Sequence, residues 1–296
     1  MTHLHVFISG GTQGLGKELV HIALAEGNRV STFSRKKENV EALQSECASL
    51  DLKVMTGDIA SPEANSRLVN DAINAYGPID LIISNVGLFK WDSEFTRSIP
   101  QEDFHLSENE LMEKYAQDTD FPSIQKYYQF VQINYVGNAR LIDEVIRLHA
   151  DKNLIIGEVG SVAVVADFIR KPLESSAEYG HIKAELIRHT KERLFPHHVL
   201  RVVHPGPFGQ SAQDIADRFG DTKGMETHAV AQKAWKVFTL PFSEGEQHRI
   251  IAPQEHFTRE YFGDLQQYKH ILPGIERTEW SPPSETILFT RREKMM

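Results

Sequence analysis

Seven short apolar runs in this chain alternate with six longer stretches whose apolar residues recur every three or four positions. No other feature constrains the fold as strongly. The runs Leu4–Ser9, Arg29–Phe33, Leu52–Thr56, Asp80–Ser84, Asn153–Val159, Val199–His204 and Arg249–Ile251 predict strands. The stretches Leu15–Ala25, Val40–Ser49, Ala64–Tyr76, Ile124–His149, Ala177–Leu194 and His228–Phe238 predict helices. Ser61 and Pro62 fit the N-cap and first position of the third helix. Alternating strands and helices require a parallel sheet covered on both faces. The expected fold is therefore α/β: a doubly wound parallel sheet of about seven strands in one domain spanning residues 1–296.

Two segments interrupt the rhythm. Residues 88–121 carry nine acids against three bases, most of the chain's net charge of −9, together with Phe89, Trp91, Phe95, Phe104, Tyr115 and Phe121. We expect an insertion there, with an apolar inner face and an acidic outer face. The other is an extended tail at about 262–296, which shows no clear period. The net negative charge argues against nucleic acid or a membrane surface as partner. No run of eighteen apolar residues is present, and no signal peptide is evident. Cys47 is the only cysteine, which suits a cytoplasmic location. The fourteen histidines are scattered, and no metal site is expected.

The first strand runs into "SGGTQGLGKEL". Glycines that follow a strand and open a helix let the backbone turn tightly and approach a pyrophosphate, whose charge sits on the helix N-terminus. The loop spans Ser9, Gly10, Thr12, Gln13, Gly14, Leu15 and Gly16, and it makes the fold Rossmann-type. At the end of the second strand an acid would bind a ribose 2′-hydroxyl, whereas an arginine accommodates a 2′-phosphate. Here Ser34, Arg35, Lys36 and Lys37 precede any acid, so NADP(H) is favoured over NAD(H).

Of eight tyrosines, only Tyr179 has a lysine four positions later, Lys183. Ser175 and Glu178 fit a capping box for the helix that carries both, which places them one turn apart on one face. An ammonium one turn away favours the phenolate and makes the phenol a better acid and base.

These motifs together resemble the classical short-chain dehydrogenase/reductase family. The resemblance runs from about residue 4 to 252. It rests on Ser9-Gly10-x-x-x-Gly14-x-Gly16, on Asp58-Ile59 after the third strand, and on Ser84-Asn85-Val86-Gly87 after the fourth. It continues with Asn134, Ser161, the Tyr179/Lys183 pair and Pro205-Gly206. By that resemblance Tyr179 exchanges a proton with the substrate oxygen. Lys183 lowers the phenol's pKa and holds the nicotinamide ribose, Ser161 polarises the carbonyl, and Asn134 holds a water that leads from Lys183 to solvent. Asp58, Ile59, Asn85, Gly87, Pro205 and Gly206 join the glycine loop, Ser34, Arg35, Tyr179 and Lys183 as cofactor contacts.

Ser84 and Val86 stand where the family usually has asparagine and alanine. Eighteen positions separate Ser161 from Tyr179, more than is usual, so Ser175 and Ser176 are alternatives; Ser161 is preferred because it follows a strand. The resemblance implies an NADPH-dependent reductase of a small carbonyl compound, or the reverse alcohol dehydrogenase, assembled as a homodimer or homotetramer. A cofactor-binding sensor or scaffold, or an epimerase or dehydratase on the same fold, are the alternatives.

Overall fold

The structure, a computed structural model, describes residues 3–48, 50–89, 94–161, 177–205, 226–251, 277–279 and 286–290. Among the described residues nine strands form one sheet, in the order β3-β2-β1-β4-β5-β6-β7-β9-β8. The first seven are parallel: β1 (His5–Ile8), β2 (Arg29–Ser34), β3 (Leu52–Thr56), β4 (Leu81–Ser84), β5 (Leu154–Val159), β6 (His198–Pro205) and β7 (Gln247–Ile251). The expected seven-strand parallel sheet is thus present, with ends within two residues of those predicted. The tail adds two antiparallel strands at its edge, β8 (Arg277–Glu279) and β9 (Thr286–Thr290).

Side chains alternate across the pleat and feed two cores. Phe7, Ile82, Ile156 and Leu200 face one core; Val6, Ile8, Ile83 and Val203 face the other. The second core is covered by α1 (Gly14–Ala25), α2 (Lys37–Glu46) and the C-terminal helix, numbered α8 below (Thr227–Phe238). The first is covered by α3 (Pro62–Tyr76), α4 (Glu108–Tyr115), α5 (Phe121–Val131), α6 (Gly137–Leu148) and α7 (Ala177–Arg193). Gly157 admits α8 against the sheet, since a Cβ there would lie 2.9 Å from the Phe238 ring.

The helix predicted over Ile124–His149 is two helices joined by a π-turn at Gln132–Val136. Two asparagines account for the extra residue. Asn134 Nδ2 donates to Phe130 O (3.0 Å), and Asn138 Nδ2 donates to Ile133 O (2.8 Å). Both carbonyls face side-chain amides within one turn, so the backbone can widen without leaving them bare.

The described part of the acidic segment is packed. Ile99, Phe104 and Leu111 belong to the first core, and Phe95 packs edge-on to Tyr127 and tilted against Phe130. Helix α4 carries a complete Ser107/Glu110 capping box. Asp103 is buried beneath Lys114 and Tyr115, both of which donate to its carboxylate.

Candidate active site

The two halves of the sheet diverge between β1 and β4, the crevice where open α/β sheets bind ligands. The loops after these strands are laced together. Ser9 Oγ accepts from the backbone N–H groups of Asn85 (2.8 Å) and Val86 (3.1 Å). Asn85 Nδ2 donates back to Ser9 O (3.1 Å) and Gly10 O (3.3 Å). A Cβ on Gly16 would fall 2.3 Å from Gly10 O and 2.5 Å from Asn85 Nδ2. Gly16 is therefore required by packing, whereas Gly10 and Gly14 are required by their backbones, at φ of +70° and +53°.

This loop fits a dinucleotide pyrophosphate. Nothing lies within 4 Å of where a Cβ on Gly14 would sit. The N-cap residue of α1, Gln13, makes no side-chain capping bond, which leaves the helix's first N–H groups available to an anion. Thr12 stands in the same turn, and Leu15 is buried in the core behind it.

At the neighbouring strand ends, Arg35 and Asp58 come together, Nη1 to Oδ2 at 3.8 Å, both well exposed. Ser34 Oγ accepts from Lys36 N–H (3.3 Å). Ile59 is buried, and its carbonyl lies 2.5 Å from where a Cβ on Gly137 would sit, so α6 closes directly on this turn.

Beyond β4 three predicted side chains converge. A point one Cβ bond from Gly87 lies 3.2 Å from Tyr179 Oη, 3.3 Å from Lys183 Nζ and 3.4 Å from Asn134 Oδ1. Lys183 is 2 % exposed and donates to Val86 O (3.3 Å), a carbonyl that also accepts from Asn138 Nδ2 (3.2 Å). Tyr179 packs edge-on to Phe89 and tilted against Phe130. Asn134 is fully buried and clamps Leu88 from both sides: its Oδ1 accepts from Leu88 N–H (2.9 Å) and its Nδ2 donates to Leu88 O (3.0 Å). Its side chain thus anchors the start of the acidic segment. Ser161 lies half-buried two residues beyond β5, at the same end of the sheet as Asn85 and as Pro205, the last residue of β6. Gly206, Ser175 and Ser176 lie outside the described residues. His181 is exposed.

Electrostatics here are governed by burial. Desolvation pushes the Tyr179 phenol above its ordinary range, so the downward pull implied for Lys183 does not dominate in this arrangement. Burial lowers Lys183 to about 8, opposed by the nearby charge of Glu158. Burial raises Glu158 to about 7, opposed by Thr190 and Lys183.

Sequence reasoning missed three residues of this network. Asn138 accepts from Ser84 Oγ (2.8 Å) and ties β4 to the π-turn; its signal was a second asparagine four positions after Asn134. Glu158 was legible as the one charge in the apolar run "LIIGEV". Thr190 gave no signal. Among the described residues no group of three metal-ligating side chains occurs, and no helix is long and apolar enough to cross a membrane.

The chain is similar to known proteins in sequence and in fold. A family model described as short chain dehydrogenase matches residues 4–206. Over 91 residues the chain is 32 % identical to 3-phenylpropionate-dihydrodiol/cinnamic acid-dihydrodiol dehydrogenase of Photorhabdus laumondii, covering 31 % of each. Over 102 residues it is 38 % identical to a 3-dehydrosphinganine reductase of Arabidopsis thaliana, covering 33 % of this chain and 29 % of that protein. These matches span about a third of the relatives' length. The solved structure of serine dehydrogenase from Escherichia coli superposes with a TM-score of 0.61 at 18 % identity, covering 84 % of this chain and 98 % of that one.

Proposed function

We propose, from the premise that this chain belongs to the short-chain dehydrogenase family, that it is an NADPH-dependent reductase of a ketone or aldehyde on a small organic molecule, or the reverse alcohol dehydrogenase. The observation that carries this reading is the convergence of Tyr179 Oη, Lys183 Nζ and Asn134 Oδ1 around Gly87 at the end of β4.

The cofactor supplies or accepts the hydride at the carbonyl carbon. The chain's own residues manage the oxygen. As alkoxide character builds there, Ser161 donates a hydrogen bond to it and Tyr179 delivers the phenolic proton, giving the neutral alcohol. The tyrosinate left behind is supported by the Lys183 ammonium, which Val86 O holds in place. Asn134 keeps the Leu88 turn, and through it Phe89, packed over Tyr179. Arg35, with no acid between it and the end of β2, favours a 2′-phosphate.

Residues 88–121 serve in this reading as a wall of the substrate pocket within one domain, excluding water from the reacting atoms. The Phe89–Tyr179 contact and the core positions of Ile99, Phe104 and Leu111 support it. Assembly as a homodimer or homotetramer and a cytoplasmic location complete the reading.

The test is to incubate the protein with NADPH or NADH and a panel of ketones and aldehydes while following cofactor absorbance. Turnover with NADPH is expected, and Tyr179→Phe should abolish it while leaving NADPH affinity within about twofold, because ring packing is kept and only the exchangeable proton is lost. Tight cofactor binding without turnover on any carbonyl or alcohol would instead favour a sensor. A Tyr179→Phe variant that retained most turnover would remove Tyr179 from the chemistry.

A further inference from the structure

The tyrosine read as the proton donor stands where a helix is held least. Tyr179 is the third residue of α7, and the N–H groups of a helix's first turn have no intrahelical acceptor. Its neighbour Glu178 is tied across to α5: the Tyr127 hydroxyl donates to Glu178 Oε2 (2.7 Å), joining residues 51 positions apart. Tyr127 is 2 % exposed, and a hydroxyl donating to a carboxylate from a buried ring makes a strong, directional bond. Three residues on, on the same face of α5, the Phe130 ring lies 6.3 Å from the Tyr179 ring, centroid to centroid. Phe95 of the acidic segment packs on both, 5.3 Å from Tyr127 and 5.1 Å from Phe130. Phe89 meets the Tyr179 ring edge-on at 5.4 Å. The Tyr179 ring thus leans on one face of α5, and the residue before it is bonded to that face.

We propose that Tyr127 is a positioning residue for Tyr179: through Glu178 it tethers the first turn of α7 to α5 and so keeps the phenol seated against Phe130 and in reach of the substrate oxygen. The proposal rests on the reading of Tyr179 as the group that exchanges a proton with that oxygen. The reason is geometric. A proton moves efficiently only across a hydrogen bond, and a misplacement of about 1 Å can cost about a hundredfold in rate. Apolar ring contacts are non-directional and resist sliding weakly, whereas a hydrogen bond fixes both distance and angle. The tether also gives the acidic segment a second route to Tyr179, through Phe95 and α5, besides the direct contact of Phe89.

The test is Tyr127→Phe, which keeps the ring and removes the hydroxyl. With the tyrosine rings labelled with ¹³C and the Tyr179 resonance assigned by Tyr179→Phe, the spectrum of the protein alone reads how that ring is seated, because the neighbouring aromatic rings Phe89 and Phe130 shift it. In Tyr127→Phe the Tyr179 resonance should move toward that of free tyrosine, and kcat should fall about tenfold with NADPH affinity within about twofold. Glu178→Ala should do the same, and Tyr127→Phe combined with Glu178→Ala should lose no more than either alone, because all three lack the same bond. Glu178→Gln, whose amide oxygen still accepts from the phenol, should retain most of the turnover. An unmoved Tyr179 resonance in Tyr127→Phe, or losses that multiply to about a hundredfold in the double variant, would overturn the proposal. If no carbonyl is turned over by the parent, the Tyr179 resonance still decides whether the tether seats the ring, and only the functional reading fails. Should Tyr127→Phe not fold, Glu178→Ala carries the same measurement, and a Tyr179 resonance that stays at the parent's position there overturns the proposal too.

Discussion

Gly16 and Gly14 stand two residues apart at the same turn, yet alanine should damage them in different ways. At Gly16 the backbone tolerates a side chain, but the new methyl would lie 2.3 Å from Gly10 O, 2.5 Å from Asn85 Nδ2 and 3.0 Å from Gly10 C. Two of these are backbone atoms held by the β1–β4 lacing, so relief requires the loop to move by about 1 Å. Overpacking of this kind costs about 1–3 kcal/mol. Displacing Asn85 also weakens its bonds to Ser9 O and Gly10 O, at about 1 kcal/mol each. The total of about 3–5 kcal/mol corresponds to a fall in Tm of roughly 10 °C for a domain of this size. At Gly14 nothing lies within 4 Å, and the cost is the φ of +53°, about 1–2 kcal/mol and a few degrees. That methyl enters the open space at the start of α1, so NADPH affinity should fall out of proportion to stability. Calorimetry without cofactor, followed by NADPH titration of each folded variant, separates the effects. Gly16→Ala melting within about 2 °C of the parent, or Gly14→Ala melting below Gly16→Ala, would refute the argument.

Other perturbations follow from the same contacts. Arg35→Asp should weaken NADPH and favour NADH, because a carboxylate would repel a 2′-phosphate; equal affinities of the parent for both cofactors in titrations would count against Arg35 as the selector. Asn134→Ala removes both bonds that clamp Leu88, so stability should fall by about 1–3 kcal/mol and the Leu88 amide should exchange faster with solvent; unchanged exchange would show that the side chain does not hold the turn. His5, His149 and His198 are all depressed by burial. His149 Nε2 accepts from Ile79 N–H (2.8 Å), which requires the neutral ring. The unfolded chain then takes up more protons than the native one below about pH 6.5, so stability is full above that pH and falls as the pH drops toward the folded values. A urea midpoint that stays flat between about pH 7 and pH 5 would contradict this.

The sheet was legible because its strands are apolar on both faces. "HVFI" and "LIIS" have no solvent side, and a short apolar run between turns has few alternative readings. Motif order then grouped Tyr179, Lys183, Asn134 and Gly87 as candidates, and in the structure these meet at one point. The π-turn was illegible because one extra residue in a turn hardly disturbs a 3.6-residue period over a stretch of this length; what widens the turn is side-chain amides bonding to carbonyls four and five positions back. Strand β9, "TILFT", pairs with β7 across 35 or more residues, a separation no local pattern encodes. Glu158 was read as part of a strand, and its charge was passed over. Strand periodicity sends a charge to solvent only when one face of the sheet is wet, and here both faces are covered by helices.

The lacing between β1 and β4 ties the glycine loop to the turn after β4, although 76 positions separate Ser9 from Asn85, and through that turn to Lys183 and Asn134. Ser9 Oγ holds the N–H of Val86. The carbonyl of the same residue holds Lys183 Nζ and Asn138 Nδ2. Asn138 then reaches the Ile133 carbonyl in the π-turn that also carries Asn134, and Asn134 fixes Leu88. Val86 is gripped at its N–H by Ser9 and at its C=O by the lysine, on the two peptide units that flank its Cα, so a shift of either unit is felt at the other. A shift of Ser9 would therefore reach Lys183 through the single residue Val86. Replacing Ser9 by alanine frees that N–H, so it should loosen Lys183 as well as the glycine loop; a variant that lost NADPH affinity but kept the Lys183 titration midpoint of the parent would show that the two are held separately.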